Sequence, residues 1–266
     1  HCAACKDQHS LVQTLMEYNE QLKLSSNDPD AVRFDFTRLG HIIGVKADVF
    51  DAFSQQALLW AGDTVPLPLR REPLDFVAAY GSSCCLSKKE TVEPTLFSFS
   101  NGQGNQWLLE AFRTIRDSLC EQDLQRTLFD HWTYSDPRPT LRWDPRDCRL
   151  YALMASDPSG GQEPIQTMKA ANYLAFLSLS MLPTMPGADG LKTAGFAKMS
   201  NGWFWSWPIW DVPVGIDCIR SLLTLAALHK EVPERSELAA FGIKQVCRSK
   251  RYVLKKNIYF SPSVSL

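Results

Sequence analysis

The sequence predicts an α+β fold, built from mixed helices and short strands in a single large unit or two closely packed subdomains. Two kinds of periodicity indicate this class. Some segments repeat apolar residues at helical spacing, and others alternate apolar and polar residues as strands do. Loops rich in proline, glycine and serine separate these segments. With 266 residues, 45% of them hydrophobic, the chain is long enough to bury a substantial core.

The first half of the chain is predicted to be mostly helical. Helices are expected from Ser10, a candidate N-cap, to about Leu24, over Asp48–Trp60, and from Asn105 to about His131, where the apolar stripe is longest. Residues 65–70 include two prolines and are expected to be non-helical. A strand is expected over 91–100, ending in a glycine-containing turn.

The second half is predicted to alternate helices with strands. A short helix over Ser236–Phe241 should be closed by Gly242, because glycine readily adopts the left-handed conformation just past a helix end. Further helices are expected over 168–182 and 214–229, and strands over 140–143, 147–153, 191–196, 203–210 and 243–259.

Composition and charge argue against several classes of protein. The formal net charge is −1, so the chain as a whole has no drive toward nucleic acid or a membrane surface. No apolar run approaches the roughly 18 residues that a membrane helix needs, and no signal peptide is visible. We therefore expect no membrane partner. Because the chain begins with His1 rather than Met, we also expect that an upstream segment is missing.

Cysteine usage bears on the compartment and on metal binding. Eight cysteines in 266 residues are too few for a disulfide scaffold, which predicts a reducing, cytoplasmic location. Cys2-Ala-Ala-Cys5 has the two-residue gap of a zinc knuckle, and His9 follows four positions later. Cys2, Cys5 and His9 are therefore candidate ligands of a structural zinc ion, which would need a fourth ligand from elsewhere. The alternative is a frayed terminus with two free thiols.

The C-terminal segment is strongly basic. Residues 242–266 carry a charge of +6 and no acidic side chain, and the six cations are Lys244, Arg248, Lys250, Arg251, Lys255 and Lys256. Such residues release counterions when they contact phosphates, so the segment is a candidate nucleic-acid-binding element. The alternative is a solvated edge strand, in which lysine prevents edge-to-edge pairing. In a strand, Arg248 and Lys250 would share one face and Arg251 would lie on the other.

Tryptophans are concentrated in the segment Gly202–Asp211. Trp203, Trp205 and Trp207 alternate at strand spacing and should share one face of a sheet. Three such rings form either a core or a stacking platform. Core packing is the favoured interpretation, because most aromatic side chains serve burial.

A search for catalytic motifs is mostly negative. The sequence contains no nucleophile elbow, no Walker A loop and no zinc-protease helix. His131 could act as a general base, and Asp136, Asp144 and Asp147 could bind a metal ion. Turn formation beside prolines is the commoner explanation for these aspartates.

A set of distinctive motifs resembles one known family. Leu141-Arg-Trp-Asp-Pro-Arg-Asp-Cys-Arg-Leu-Tyr-Ala-Leu153, followed by Asp157-Pro-Ser159, resembles the W-D-P-x-x-D-R-x-Y-A-L…D-P-S motif of accessory proteins encoded in type I-G (formerly I-U) CRISPR loci. Further similar motifs follow in the family's order: Ala170-Ala-Asn-Tyr-Leu-Ala175, Leu182-Pro-Thr-Met-Pro186, Trp207-Pro-Ile-Trp210 and Gly242-Ile-Lys-Gln-Val-Cys-Arg-Ser-Lys-Arg251. Cys148 departs from the pattern, since the family has arginine there.

The resemblance implies a domain division and a function. Residues 1–90 form a mostly helical region without a family match, and residues 91–266 carry the motifs. The implied function is a non-catalytic subunit or accessory factor of an RNA-guided antiviral complex, with CRISPR effector subunits and guide RNA or target DNA as partners. The alternatives are a metal-dependent nuclease or RNA-processing enzyme around His131, Asp136, Asp144 and Asp147, and a protein-interaction scaffold that docks through the tryptophan face.

Overall fold

A layer of helices packed against an antiparallel sheet gives the protein an α+β fold, the class that the sequence predicts. The computed structural model describes residues 7–25, 33–40, 42–62, 67–98, 107–137, 139–143, 167–254 and 257–266. Within these ranges, every helix is too short or too polar to cross a lipid bilayer.

The helices of the described ranges are concentrated before residue 181. They are α1 (Gln8–Ser25), α2 (Ala47–Trp60), α3 (Leu67–Tyr80), α4 (Leu108–Ser118), α5 (Glu121–Phe129), α6 (Lys169–Leu177), α7 (Ile216–Leu223) and α8 (Arg235–Ala239). Among the described residues, short 3-10 helices lie at Phe36–Leu39, Ser178–Met181 and Ala226–His229.

The strands form two hairpins and one larger sheet. They are β1 (Gly81–Leu86), β2 (Val92–Pro94), β3 (Thr184–Gly187), β4 (Gly190–Thr193), β5 (Phe196–Met199), β6 (Gly202–Trp210), β7 (Ile243–Leu254), β8 (Asn257–Phe260) and β9 (Val264–Ser265). β1 pairs with β2, and β3 pairs with β4. The five-stranded sheet has the order β5-β6-β7-β8, with β9 also paired to β7, and all its pairs are antiparallel.

Helix α1 confirms the first predicted helix but not its cap. The side chain of Asp7 accepts a hydrogen bond from the Ser10 backbone N–H at 2.7 Å. Asp7 therefore satisfies an amide of the first turn, which is the role that the sequence assigned to Ser10.

Over residues 67–70, helix α3 contradicts the prediction that residues 65–70 are non-helical, because the helix begins at Leu67. Residues 65 and 66 lie outside the described ranges. Pro68 lies in the first turn, where a backbone N–H would have no acceptor within the helix, so proline is tolerated there. Pro73 lies further inside the helix. Proline is disfavoured in the interior of a helix but not in its first turn, so Pro68 does not exclude a helix that begins at Leu67.

The predicted helix from Asn105 to His131 is two helices, α4 and α5, separated at Leu119 and Cys120. Leu119 has an extended backbone, with φ −70° and ψ 136°, and its side chain is buried. The carboxylate of Asp123 accepts hydrogen bonds from the backbone N–H and the thiol of Cys120, at 3.0 and 3.2 Å. This capping box restarts the helix at Glu121.

Other predicted elements are shorter or divided. The helices expected over 168–182 and 214–229 each end in a 3-10 turn. Of the strand expected over 91–100, residues 91–98 are described, and they contain only the short strand β2. The strand expected over 243–259 is the pair β7 and β8, and that over 191–196 ends at β4. Residues 140–143 are not a strand, and residues 147–153 lie outside the described ranges.

One tight turn explains why the strand predicted over 191–196 is divided between β4 and β5. Gly195 has a φ of +81°, which disfavours other residues, and it precedes β5. A Cβ atom at this position would lie 2.8 Å from the indole nitrogen of Trp205. Glycine thus allows both the turn and the close approach of the tryptophan.

The main core contains side chains from both sides of residue 90. Phe36 stacks on Phe76 with ring centres 3.9 Å apart, and Phe112 stacks on Phe176 at 3.8 Å. The same hydrophobic cluster reaches Ile258 and Phe260 in the sheet. The proposed division at residue 90 stays a prediction.

Candidate nucleic-acid interface

The five-stranded sheet has two faces of different character. Its inner face, toward the helical layer, carries Trp205 and Trp207, whose rings stack 4.3 Å apart and pack against the main core. Its outer face carries Ser206 and Arg248 near the middle and Phe204 and Lys250 toward the β5–β6 turn. Directly paired residues of antiparallel strands lie on the same side of a sheet, which fixes these assignments.

Part of the outer face is covered by the chain that follows β6. Leu222, Leu228 and Leu238 form a second hydrophobic cluster with Ile243 and Val246 of β7. This cluster covers the end of β7 that lies farthest from Lys250.

Arg248 is one of the six predicted nucleic-acid-binding residues, and the structure surrounds its guanidinium with protein. The side chain donates to the Ser206 hydroxyl at 2.8 Å and to the carbonyl oxygens of Leu228, Lys230 and Glu231 at 3.1, 2.7 and 2.9 Å. Burial lowers the pKa of this guanidinium from its usual value, and Glu231 opposes the change. In this structure Arg248 ties the 226–231 segment to the sheet.

Lys250 has different surroundings although it lies on the same face as Arg248. Its ammonium nitrogen is 5.7 Å from the ring centre of Phe204 and 5.2 Å from that of Tyr252. All three side chains are half-buried, so each keeps a surface open to solvent. Phe204, Lys250 and Tyr252 are called the aromatic patch below.

The other predicted phosphate-binding residues are divided among different environments. Lys244 is exposed and forms an ion pair with Asp211 at 3.2 Å. Arg251 lies on the inner face, where its Nε donates to the Leu96 carbonyl at 2.8 Å. Burial lowers the pKa of Arg251 to about 10, so the side chain remains charged at neutral pH. Lys255 and Lys256 lie outside the described residues.

The three alternating tryptophans share the inner face but not one environment. Trp205 also meets Phe97 edge-on, with ring centres 5.3 Å apart. The core interpretation is confirmed for Trp205 and Trp207, which pack against the main hydrophobic cluster. Trp203 instead lines a surface pocket at the end of the sheet.

The structure leaves the zinc prediction untested. Cys2 and Cys5 lie outside the described residues. His9 lies on the exposed side of α1, with its Nδ1 3.6 Å from a carboxylate oxygen of Glu121. Across the ranges that the structure covers, no three His, Cys, Asp or Glu side chains are grouped closely enough to hold a metal ion.

Two of the four residues proposed for a nuclease site are described, and they have separate roles. His131 is exposed in the segment that follows α5. Asp136 is buried, accepts the backbone N–H of Lys169 at 2.8 Å, and pairs with Arg126 at 3.0 Å. Asp136 therefore caps α6, as expected of an aspartate beside a turn. Asp144 and Asp147 lie outside the described residues.

Asp136 belongs to a compact ion-pair network between α5 and α6. Arg126 bridges Asp136 and Asp123, and Lys169 pairs with Asp123 at 2.7 Å. Burial alone would raise the pKa of Asp123, but hydrogen bonds from Lys169, Cys120 and Arg126 hold it below its usual value. Two carboxylates and two cations balance here, so the network ties the two helices together without an unpaired charge.

A second, partly buried polar cluster lies between α1 and α3. Tyr18 and Arg33 both donate to the carboxylate of Glu72, and the Arg33 guanidinium lies 4.1 Å from the centre of the Tyr18 ring. Burial, together with the charge of Glu72, raises the pKa of Tyr18 well above its usual value. Tyr18 is therefore a neutral hydrogen-bond donor at physiological pH, and the cluster connects α1 to α3.

Sequence reasoning missed Phe204 and the difference between Lys250 and Arg248. Phe204 is the even-numbered residue between two tryptophans, so alternation places it on the face opposite theirs. Strand alternation is therefore the sequence signal that identifies Phe204 as an outer-face residue. The chain segment that covers Arg248 comes from residues 226–231, and the sequence around Arg248 does not predict this contact.

Comparison with known proteins adds no assignment to this geometry. No protein-family model, curated protein or solved structure matches the chain. The function is therefore inferred from the residues of the patch and from the sequence motifs.

Proposed function

We propose that the chain is a non-catalytic subunit of an RNA-guided antiviral ribonucleoprotein complex, and that it contacts a single nucleic-acid strand through the aromatic patch. The observation that carries this proposal is the position of the Lys250 ammonium between the half-exposed rings of Phe204 and Tyr252. Aromatic faces and a basic side chain together are the elements that bind single strands in many unrelated folds.

Each component of the patch has a distinct chemical role in this proposal. The rings of Phe204 and Tyr252 offer surfaces on which successive bases stack, and stacking tolerates any base. Lys250 offers a charge to the phosphate that joins those bases. Binding of this kind is sensitive to salt and nearly indifferent to sequence, which suits a subunit of a complex in which base pairing supplies specificity.

The antiviral context is supported by the motifs rather than by the patch. The run Leu141–Leu153 and the four later motifs resemble accessory proteins of type I-G CRISPR loci. On this basis the strand is guide RNA or target DNA, and the partners are effector subunits. The patch lies within the part of the chain that carries the resemblance, since Lys250 belongs to the final motif.

The test is binding of labelled single strands, measured by fluorescence anisotropy with RNA and DNA of about 20 nucleotides. Lys250→Gln should weaken binding and reduce the slope of log K against log salt by about 0.7, the value for one phosphate contact on a single strand. Phe204→Leu and Tyr252→Leu should each cost about 1–3 kcal/mol of binding free energy with little change in that slope.

Lys244→Gln is the matched control, because it removes the same charge from the opposite end of the same strand. It should change affinity much less than Lys250→Gln does, since Lys244 is engaged with Asp211. If Lys244→Gln and Lys250→Gln lose equal affinity, the nucleic acid binds along the whole basic strand rather than at the aromatic patch. The proposal is refuted if all three patch variants have normal melting temperatures and still bind the strand as tightly as the parent. These variants are Lys250→Gln, Phe204→Leu and Tyr252→Leu.

A further inference from the structure

The inner face of the sheet ends in a pocket that the aromatic patch does not use. Its volume is about 330 Å³, and it lies between the β3–β4 turn and strands β5 and β6. The side chains that matter for its chemistry are Asp189, Lys192, Phe196, Lys198 and Trp203. The volume is near the lower limit for small-molecule sites and suits one compact ligand.

Trp203 gives this pocket an aromatic wall. Its neighbours on the same face, Trp205 and Trp207, pack against the core, whereas Trp203 is half-buried and lines the pocket. Trp203 is paired with Lys198 across β5 and β6, so the two side chains lie on the same side of the sheet. An aromatic ligand that stacks on Trp203 would therefore have a cation beside it.

The charges of the pocket favour an anion. Lys192 and Lys198 are exposed, and within the described ranges neither has a carboxylate partner at ion-pair distance. Asp189 is the single acidic side chain among the lining residues, so the lining carries a formal charge of +1. The Glu93 carboxylate lies next to this lining and accepts the Leu191 backbone N–H at 3.1 Å. Arg251, which is paired with Trp203 on the same face of the sheet, offsets the charge of Glu93. A ligand with one phosphate matches this charge better than a triphosphate does.

We propose that this pocket binds a nucleoside monophosphate, with the base stacked on Trp203 and the phosphate held by Lys192 and Lys198. Asp189 accepts a hydrogen bond from a ribose hydroxyl or a base amine. The site lies on the face opposite the aromatic patch, so this proposal goes beyond strand binding and stands or fails separately from it.

The test is isothermal titration calorimetry with AMP, adenosine and inorganic phosphate. AMP should bind, and adenosine and phosphate should each bind at least about tenfold more weakly, because each lacks one of the two contacts. Trp203→Leu should weaken AMP binding at least about fivefold, the low end of the cost of losing a stacked base. Lys198→Gln should weaken AMP binding by a similar factor, because it removes one of the two cations that hold the phosphate.

Lys250→Gln is the matched control, because it removes a lysine from the other face and should leave AMP binding unchanged. Lys198 is exposed, so Lys198→Gln tests the site even if Trp203→Leu fails to fold. The proposal is overturned if AMP does not bind at millimolar concentration or binds Lys198→Gln as well as the parent. It is also overturned if adenosine or phosphate alone binds as tightly as AMP. Loss of strand binding in Lys250→Gln with AMP binding retained would show that the two sites are separate.

Discussion

Arg248 and Ser206 form a buried hydrogen bond between β7 and β6, with 2.8 Å between Nε and the hydroxyl oxygen. The rest of the guanidinium is directed at three backbone carbonyls of the 226–231 segment. This residue therefore acts as a structural tie between the sheet and the chain that covers it. Lys250, two positions later on the same face, has two aromatic neighbours instead of a carbonyl cage.

Arg248→Met should destabilise the protein by about 2–4 kcal/mol, because it leaves the buried Ser206 hydroxyl, the buried Leu228 carbonyl and two partly buried carbonyls without their donor. Lys250→Met should change the free energy of unfolding by less than about 0.5 kcal/mol. Urea denaturation of the two variants and the parent checks this. A stable Arg248→Met protein would show that the 226–231 segment does not depend on the guanidinium.

Trp205→Ala should cost about 3–5 kcal/mol of stability, because the ring is packed against the core and stacked on Trp207. Trp203→Ala should cost well under half as much, since one side of that ring faces the pocket. Thermal and chemical unfolding of both variants provides the comparison. Similar losses in the two would mean that Trp203 is also a core residue.

Leu119→Asp should cost roughly 3 kcal/mol or more, because it places a charge at a site where the leucine is 4% exposed. The matched control is Leu59→Asp, at a position where the leucine is 80% exposed, and it should change stability by less than about 0.5 kcal/mol. Chemical denaturation measures both. If Leu119→Asp unfolds at the parent's urea concentration, the Leu119 side chain is not part of the core.

Stability should fall as the pH drops below about 6.5, through the protonation of His229. Burial lowers the pKa of His229, the hydrogen bond to the Leu223 carbonyl opposes this, and Arg248 adds to the lowering. The Leu223 carbonyl accepts from Nε2 at 2.9 Å, so the folded protein holds the neutral ring with its proton on that nitrogen. The unfolded chain, with its higher pKa, binds a proton first, and stability is lost from about pH 6.5 down to the folded-state pKa.

His229→Gln should remove this part of the pH dependence. The free energy of unfolding of the variant and of the parent is measured between about pH 5 and 8. The difference between the two should change most below about pH 6.5. A constant difference across that range would mean that His229 is protonated equally in the folded and unfolded states. Carboxylates titrate at lower pH in both proteins and cancel in the comparison.

Periodicity predicted the elements whose burial follows from local pattern. The apolar spacing of α1 and α2 and the alternation of β6 were read correctly, because one face of each packs against the rest of the protein. Boundaries were less accurate where a side chain interrupts the pattern. The capping box formed by Cys120 and Asp123 starts a new helix within the apolar stripe that begins in α4. In the sequence this interruption is marked only by one carboxylate, three residues after Cys120.

Composition and periodicity were sufficient to predict the class of fold, the alternation of the tryptophan strand and the basic character of the last strand. Packing between distant segments sets which cations are accessible. Arg248 and Lys250 have similar charge, lie on one face and are separated by one residue, yet only Arg248 is caged by the carbonyls of the 226–231 segment. Trp203 and Trp205 also share one face of the sheet, yet Trp205 packs against the main core and Trp203 lines the pocket. Burial depends on what packs over a side chain from distant parts of the chain, and strand periodicity specifies only the side of the sheet on which that side chain lies.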